Sequence, residues 1–279
     1  MNTLMRTLLK RLSRAARPYL KSYGLLQTSK QFNKSAVVWE PKDEKVVILA
    51  PHMDDEVIGC GGTLRKHVLN GADVTAVFLT DGRYGSSALN DLLGAARRRQ
   101  EKALIETRKG EARRALSTQG VHQIAFLDAE ETKLASAKEL PQRLRQILES
   151  IRPDLVYLPF FLEEHPDHRA VSRLLLDAMN DADFNFDCIG YEVWTPLFPN
   201  CFVKIDDTVE LKKQALQHYE SQLADLDYIH TSLGLNAYRS CALLNHTGAF
   251  AEAFFRAPLQ GYLELYRSYC EFDRAKASR

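Results

Sequence analysis

Nothing in the 279 residues approaches the roughly 20 consecutive apolar residues of a membrane-spanning helix. Nor is there the uninterrupted apolar core of a secretory signal. Cysteine is sparse, with Cys60, Cys188, Cys201, Cys241 and Cys270 forming no C-x-x-C pair. That excludes a zinc ribbon or a disulfide-stapled scaffold, and it suits thiols acting as small core hydrophobes in a reducing compartment, the cytoplasm. Internal repeats, low-complexity tracts and a convincing linker are also missing, so one domain is expected. Acids are absent before Glu40, where the charged residues are Arg6, Lys10, Arg11, Arg14, Arg17, Lys21, Lys30 and Lys34. The formal net charge of +1 therefore hides an acidic body behind a basic arm, residues 1–39, ahead of a domain spanning 40–279. An acidic body argues against a nucleic-acid partner, and Arg97-Arg98-Arg99 reads as a solvated helix face. In the arm, Leu4, Leu8 and Leu12 recur at helical spacing among the bases. Three readings stand open for it: peripheral contact with the inner face of an anionic membrane, a transit peptide, or a helix docked on the body.

What the chain does have is a 45% hydrophobic content and a steady alternation of short β-branched runs with helical patterns. This predicts a Rossmann-like α/β fold, a largely parallel sheet with helices on both faces. Strands are expected at 46–50, 73–80, 123–127, 154–159, 189–193 and 201–203. Helices are expected at 61–70, 91–118, 139–151, 166–179 and 209–223. From Asp227 to the end the tendency is helical, with no chemistry to read.

Two polar clusters stand at the ends of apolar strands. Val46-Val47-Ile48-Leu49-Ala50 runs into Pro51-His52-Met53-Asp54-Asp55-Glu56, and Asp154-Leu155-Val156-Tyr157-Leu158-Pro159 is followed by Glu164-His165-Pro166-Asp167-His168. Acids in a first helical turn are common dipole partners, which would account for Asp55 and Glu56 but not for His52. In a parallel sheet both clusters face one crevice at the carboxyl ends of the strands, where α/β sheets bind ligands. His52, Asp55 and His168 could then meet around one ion. Two histidines and a carboxylate with an open position make a catalytic zinc arrangement, and the same set fits iron(II). A structural zinc site would be closed by four protein ligands.

The rival reading is a nucleotide-binding Rossmann-like domain without hydrolase activity, because Gly59-Cys60-Gly61-Gly62 follows the first strand. The dinucleotide fingerprint G-x-G-x-x-G fails at its last position, which is Leu64. The acids just upstream would repel a pyrophosphate at that helix N-terminus.

The paired His52-Met53-Asp54-Asp55-Glu56 and His165-Pro166-Asp167-His168 resemble the LmbE/PIG-L family of zinc-dependent N-acetylglucosaminyl deacetylases. Leu79-Thr80-Asp81-Gly82, Arg108-Lys109-Gly110-Glu111-Ala112 and Tyr219-Glu220-Ser221-Gln222 extend the match over most of the chain. Met53 departs from the proline usual in the family, at a position that is not a ligand. The resemblance implies an N-deacetylase that hydrolyses a linear amide with a zinc-activated water. Asp54, free beside a ligand, would be the general base. His165 would stabilise the oxyanion, and His165 or the protonated Asp54 would protonate the departing amine. Asp167 would orient a histidine. Arg108 matches the family position implicated in sugar binding, although on its own it reads as a helix-surface arginine. Arg83 and Tyr84, in the loop after a strand, would line the same crevice. The group attached to the amino sugar stays open.

Overall fold

Val46–Ala50 divides its side chains between two apolar cores. Val47 and Leu49 enter one and Val46, Ile48 and Ala50 the other, all fully buried, as a strand covered on both faces requires. The computed structural model describes residues 36–180, 183–244 and 249–277. Its strands are β1 (Val37–Val38), β2 (Lys45–Ala50), β3 (Asp73–Thr80), β4 (Gln123–Ala129), β5 (Leu155–Pro159), β6 (Asp187–Tyr191), β7 (Cys201–Lys204) and β8 (Ala251–Pro258). Its helices are α1 (Asp55–Leu69), α2 (Gly94–Gln119), α3 (Leu140–Ile151), α4 (Pro166–Ala178), α5 (Val209–Gln217), α6 (Glu220–Leu223), α7 (Tyr228–Leu244) and α8 (Leu259–Ala277). The strands form one sheet in the order β1-β7-β8-β6-β5-β2-β3-β4. Among them only β8 runs against its neighbours, pairing antiparallel with β6 and β7. The core shared by Val47 and Leu49 takes in α3, α4 and α8, and the other takes in α1, α2, α5 and α7. The expected α/β fold is therefore present: a single domain with a mostly parallel sheet between helical layers. Because β2 pairs parallel with β5, the two polar clusters leave the sheet side by side at the same edge.

Several expectations need correction. The basic arm lies outside the described residues except for its last four. Of these, Val37 and Val38 pair with Cys201 and Phe202, so the sheet begins inside the segment assigned to the arm. The strand was hidden because two residues carry no alternation. The helix expected from Gly61 begins at Asp55, and Cys60 (φ −148°, ψ 21°) breaks it into two segments. The helix expected over 209–223 is interrupted at Tyr219 (φ −85°, ψ 53°), where the chain turns to aim the tyrosine hydroxyl at Glu56. The stretch read as helical after Asp227 contains β8, whose Glu252, Arg256 and three alanines are poor strand formers.

The break at Cys60 has a fixed set of partners. The carbonyl of Ile58 accepts from Lys212 Nζ at 2.8 Å and from Ser232 Oγ at 3.1 Å. Beyond the break, the amides of Gly62 and Thr63 donate to Glu252 at 3.0 and 2.8 Å. Lys212 and Glu252 are both fully buried and pair at 2.7 Å. The helix ends freed by the kink are thus capped by a buried ion pair, since exposed backbone groups in a core are costly. The glycine run answers to packing. A Cβ on Gly59 would lie 2.3 Å from the Tyr191 ring, and one on Gly62 would lie 2.7 Å from Ile205. These glycines let α1 approach its neighbours closely, which removes the feature that suggested a nucleotide.

Candidate active site

The turn after β2 is tied down from several sides. The Pro51 carbonyl accepts both the amide and the hydroxyl of Thr80, at 3.0 and 2.7 Å. The His52 amide donates to Asp55 Oδ2 at 2.8 Å. Asp54 has φ 144°, a conformation that costs a non-glycine residue about 1–3 kcal/mol and persists only where its surroundings enforce it. Here its amide donates to Glu56 at 3.1 Å, and Arg108 Nη2 donates to the Met53 carbonyl at 3.1 Å. After β5 the chain reaches His165, the N-cap of α4, whose Nδ1 accepts the Asp167 amide at 3.2 Å. An N–H can only donate, so neutral His165 carries its proton on Nε2.

The two clusters meet. His52 Nδ1, Asp55 Oδ2 and His168 Nε2 form a triangle with sides of 3.2, 3.2 and 3.3 Å. Tetrahedral ligands bonded to zinc at about 2.0–2.1 Å stand roughly 3.3–3.4 Å apart, so these donors could hold such an ion. His165 offers a ring nitrogen within 4.8 Å of those of His52 and His168. Its spacing is looser and its Nδ1 is engaged in the cap, which leaves it beside the triangle. Each histidine of the triangle has a carboxylate behind it. His52 Nε2 lies 3.3 Å from Asp167, which also accepts the amides of Thr132 and Leu134. His168 Nδ1 lies 3.6 Å from Glu163. Cys60 takes no part, since its thiol is buried and donates to the Glu56 carbonyl.

A cavity of about 130 Å³ opens over the triangle, with Asp54, His165, Arg108, Glu131, Trp194 and Gln222 among its walls. Arg108 is buried rather than on the helix surface, and it spends its terminal nitrogens on the carbonyls of Met53 and Gly82. Arg83 is not among those walls: its guanidinium pairs with Asp81 at 2.9 Å and approaches Glu130 at 3.9 Å. Tyr84 contributes its amide, which holds Glu131 at 2.6 Å. The Tyr219–Gln222 stretch braces the site from behind. Tyr219 donates to Glu56, Ser221 to Glu111 and Gln222 to the Gly85 carbonyl. Glu131 and Glu163 are site residues that sequence reasoning missed.

Electrostatically the centre favours positive charge. Burial disfavours the imidazolium of His52, but its contacts with Asp167 and Asp55 outweigh this and raise it to about 10. His168 likewise overcomes burial through Asp55 and rises to about 9. Asp55 is held well below the usual carboxylate range, the two histidines outweighing its burial. Asp54 moves the other way, pushed up by burial against the pull of Arg108. Burial, with His52 and His168 nearby, pushes His165 down to about 4, so it is neutral at physiological pH.

Residues 47–179 match the family model described as GlcNAc-PI de-N-acetylase, PIG-L. The diacetylchitobiose deacetylase of Thermococcus kodakarensis is 32% identical over 200 residues, covering 65% of this chain and 71% of that protein. The chain belongs to the PIG-L family. Another PIG-L relative, a probable N-acetyl-alpha-D-glucosaminyl L-malate deacetylase of Bacillus anthracis, is 26% identical over 66% of this chain and 84% of its own. The N,N'-diacetylchitobiose deacetylase of Pyrococcus horikoshii superposes with a TM-score of 0.63 at 23% identity, over 92% of this chain and 94% of that one. That likeness concerns the fold. The Thermococcus and Bacillus relatives are both named as deacetylases.

Proposed function

We propose that the protein is a metal-dependent N-deacetylase that removes the acetyl group from an N-acetylglucosamine-type amino sugar or its conjugate. One observation carries this reading: His52 and Asp55, which form a 3.2–3.3 Å triangle with His168, line a cavity that also holds Asp54 and His165. Zinc is the favoured ion, and iron(II) suits the same donors. Bound there, it would supply Lewis acidity to the amide carbonyl and acidify water toward a pKa of about 7. Asp54 takes the proton of the attacking water. His165 donates its Nε2–H to the oxygen on which negative charge develops. His165 or the protonated Asp54 then gives a proton to the amine as the carbon–nitrogen bond breaks, leaving acetate and the free amino sugar. Asp167 and Glu163 fix the ring orientations of His52 and His168. Arg108 holds the Asp54 loop and presents its side chain to the sugar, whereas Arg83, paired with Asp81, stands outside the cavity walls. The unpaired cysteines suit the cytoplasm, with the basic residues from Arg6 to Lys34 as a peripheral membrane contact.

The test pairs metal content with turnover in Asp54→Asn and Asp55→Ala, using acetate release from N-acetylglucosamine conjugates. Asp55→Ala should lose metal and activity together. Asp54→Asn should keep its zinc and lose about 10²–10⁴ in rate, the usual range for a general base. If Asp54→Asn loses its zinc while Asp55→Ala keeps it, the two roles are reversed. Near-normal turnover in both variants would mean that the active site lies elsewhere.

A further inference from the structure

No step of the proposed reaction uses Tyr219, although it is among the largest fully buried side chains of the molecule. It stands at the break between α5 and α6, with φ −85° and ψ 53°, so a departure from helix sets its place. The residues after it fasten that break. Ser221 donates from its amide and its hydroxyl to the two oxygens of Glu111, at 2.8 and 2.6 Å. Glu111 is itself buried, one turn along α2 from Arg108. Gln222 Nε2 donates to the Gly85 carbonyl at 2.8 Å. Arg108, Gly85 and Gln222 are walls of the catalytic cavity, so Tyr219 is anchored to the helix and the loop that border it.

From there the tyrosine hydroxyl donates to Glu56 Oε1. Glu56 is fully buried, and it belongs neither to the triangle of His52, Asp55 and His168 nor to the cavity walls. Its other oxygen, Oε2, accepts the Asp54 amide at 3.1 Å. A buried carboxylate without donors is costly, so the two contacts hold it by both oxygens. Asp54 is the residue at φ 144°, where a non-glycine side chain stays only under constraint. Two hydrogen bonds thus link Tyr219 to the strained residue, across 163 positions between Tyr219 and Glu56. Arg108 constrains the same turn through the Met53 carbonyl, but it also lines the cavity. Tyr219 does not, which makes its effect separable from substrate contact.

We infer that Tyr219 is a positioning residue for the reaction. Its hydroxyl, acting through Glu56, holds the Asp54 backbone in its strained conformation and so aims the Asp54 carboxylate at the attacking water. The inference rests on the deacetylase reading in that it takes Asp54 as the base. The placement of Asp54 by Tyr219 is testable apart from it.

Tyr219→Phe keeps the ring and removes only the hydroxyl. The zinc-loaded variant should lose about 10–100-fold in kcat for acetate release, the scale of an orienting partner, with KM and zinc affinity unchanged. The same change is then made in Asp54→Asn, which already lacks the base. There it should cost little further, because changes that act on one group do not add. A merely structural hydroxyl would lower zinc content or turnover equally in both backgrounds, and that result would overturn the inference. Crystal structures of the wild type and Tyr219→Phe read the positioning without turnover. Asp54 leaving the positive-φ region in the variant would uphold it. If the wild type then deacetylated no conjugate, the deacetylase reading alone would fall. Asp54 unmoved in the variant would reject the positioning whatever the activity.

Discussion

Replacing Lys212 by methionine, which has nearly the same volume, removes a cation without opening a cavity. Its three partners are the Ile58 carbonyl, Asn236 Oδ1 and Glu252 Oε1, at 2.8, 2.9 and 2.7 Å. After the change Glu252 is a fully buried carboxylate satisfied only by the amides of Gly62 and Thr63. Breaking a buried pair from one side costs about 3–5 kcal/mol, because the surviving charge is uncompensated. In a domain of this size each kcal/mol moves Tm by about 2–4 °C, so Lys212→Met should unfold about 6–20 °C below the wild type. Thermal unfolding followed by circular dichroism at neutral pH reads this directly. A companion variant carrying both Lys212→Met and Glu252→Gln removes both charges and keeps a carbonyl acceptor for the capped amides, so it should recover part of the loss. A Tm for Lys212→Met within about 2 °C of the wild type would refute the reasoning. So would a double variant that unfolds below the single one, because the two changes would then act independently.

Other expectations follow from single contacts. Glu163→Gln should weaken zinc binding about 10–100-fold in competition with a chelator, and an unchanged affinity would detach Glu163 from His168. Gly62→Ala should lower the urea midpoint by an amount corresponding to about 1–3 kcal/mol, since its Cβ meets Ile205; a wild-type midpoint would refute the close approach. Iodoacetamide should alkylate exposed Cys241 well before Cys60, Cys188 and Cys201, whose thiols are buried and raised in pKa. Peptide mass spectrometry that found Cys188 modified as fast as Cys241 in the native protein would contradict that packing. Dialysis against a chelator should abolish deacetylation and added zinc should restore it, whereas activity that survives chelation would exclude the metal.

His52, Asp55 and His168 could be read together because the first two lie three residues apart in one turn and the third follows a neighbouring parallel strand. Local spacing and sheet rules are enough for that. Glu163 could not be singled out, because an acid two residues before a histidine is common and only the fold shows it behind His168. Arg108 looked solvated on helical spacing alone, and what buries it is tertiary, a pair of loop carbonyls from distant segments. β8 was missed for the same kind of reason. Glu252 belongs in a strand core only because Lys212, 40 residues away along the chain, neutralises it.

The position of β8 bears on the order in which the molecule can assemble. It is the last described strand to emerge from the ribosome, yet it lies third from one edge of the sheet. β1 and β7 connect to the remaining strands only through it. Strands β2 to β6 can therefore pair during synthesis while β1 and β7 wait for a partner that arrives near the end. Glu252 comes with β8, so the kink of α1 cannot acquire its cap until that strand slides in between β6 and β7. The turn at Asp54 and Asp55 can be tied down early by Thr80 and Arg108, whereas the kink of the helix it opens is closed late, and long-range closure of this kind slows the final stage of folding.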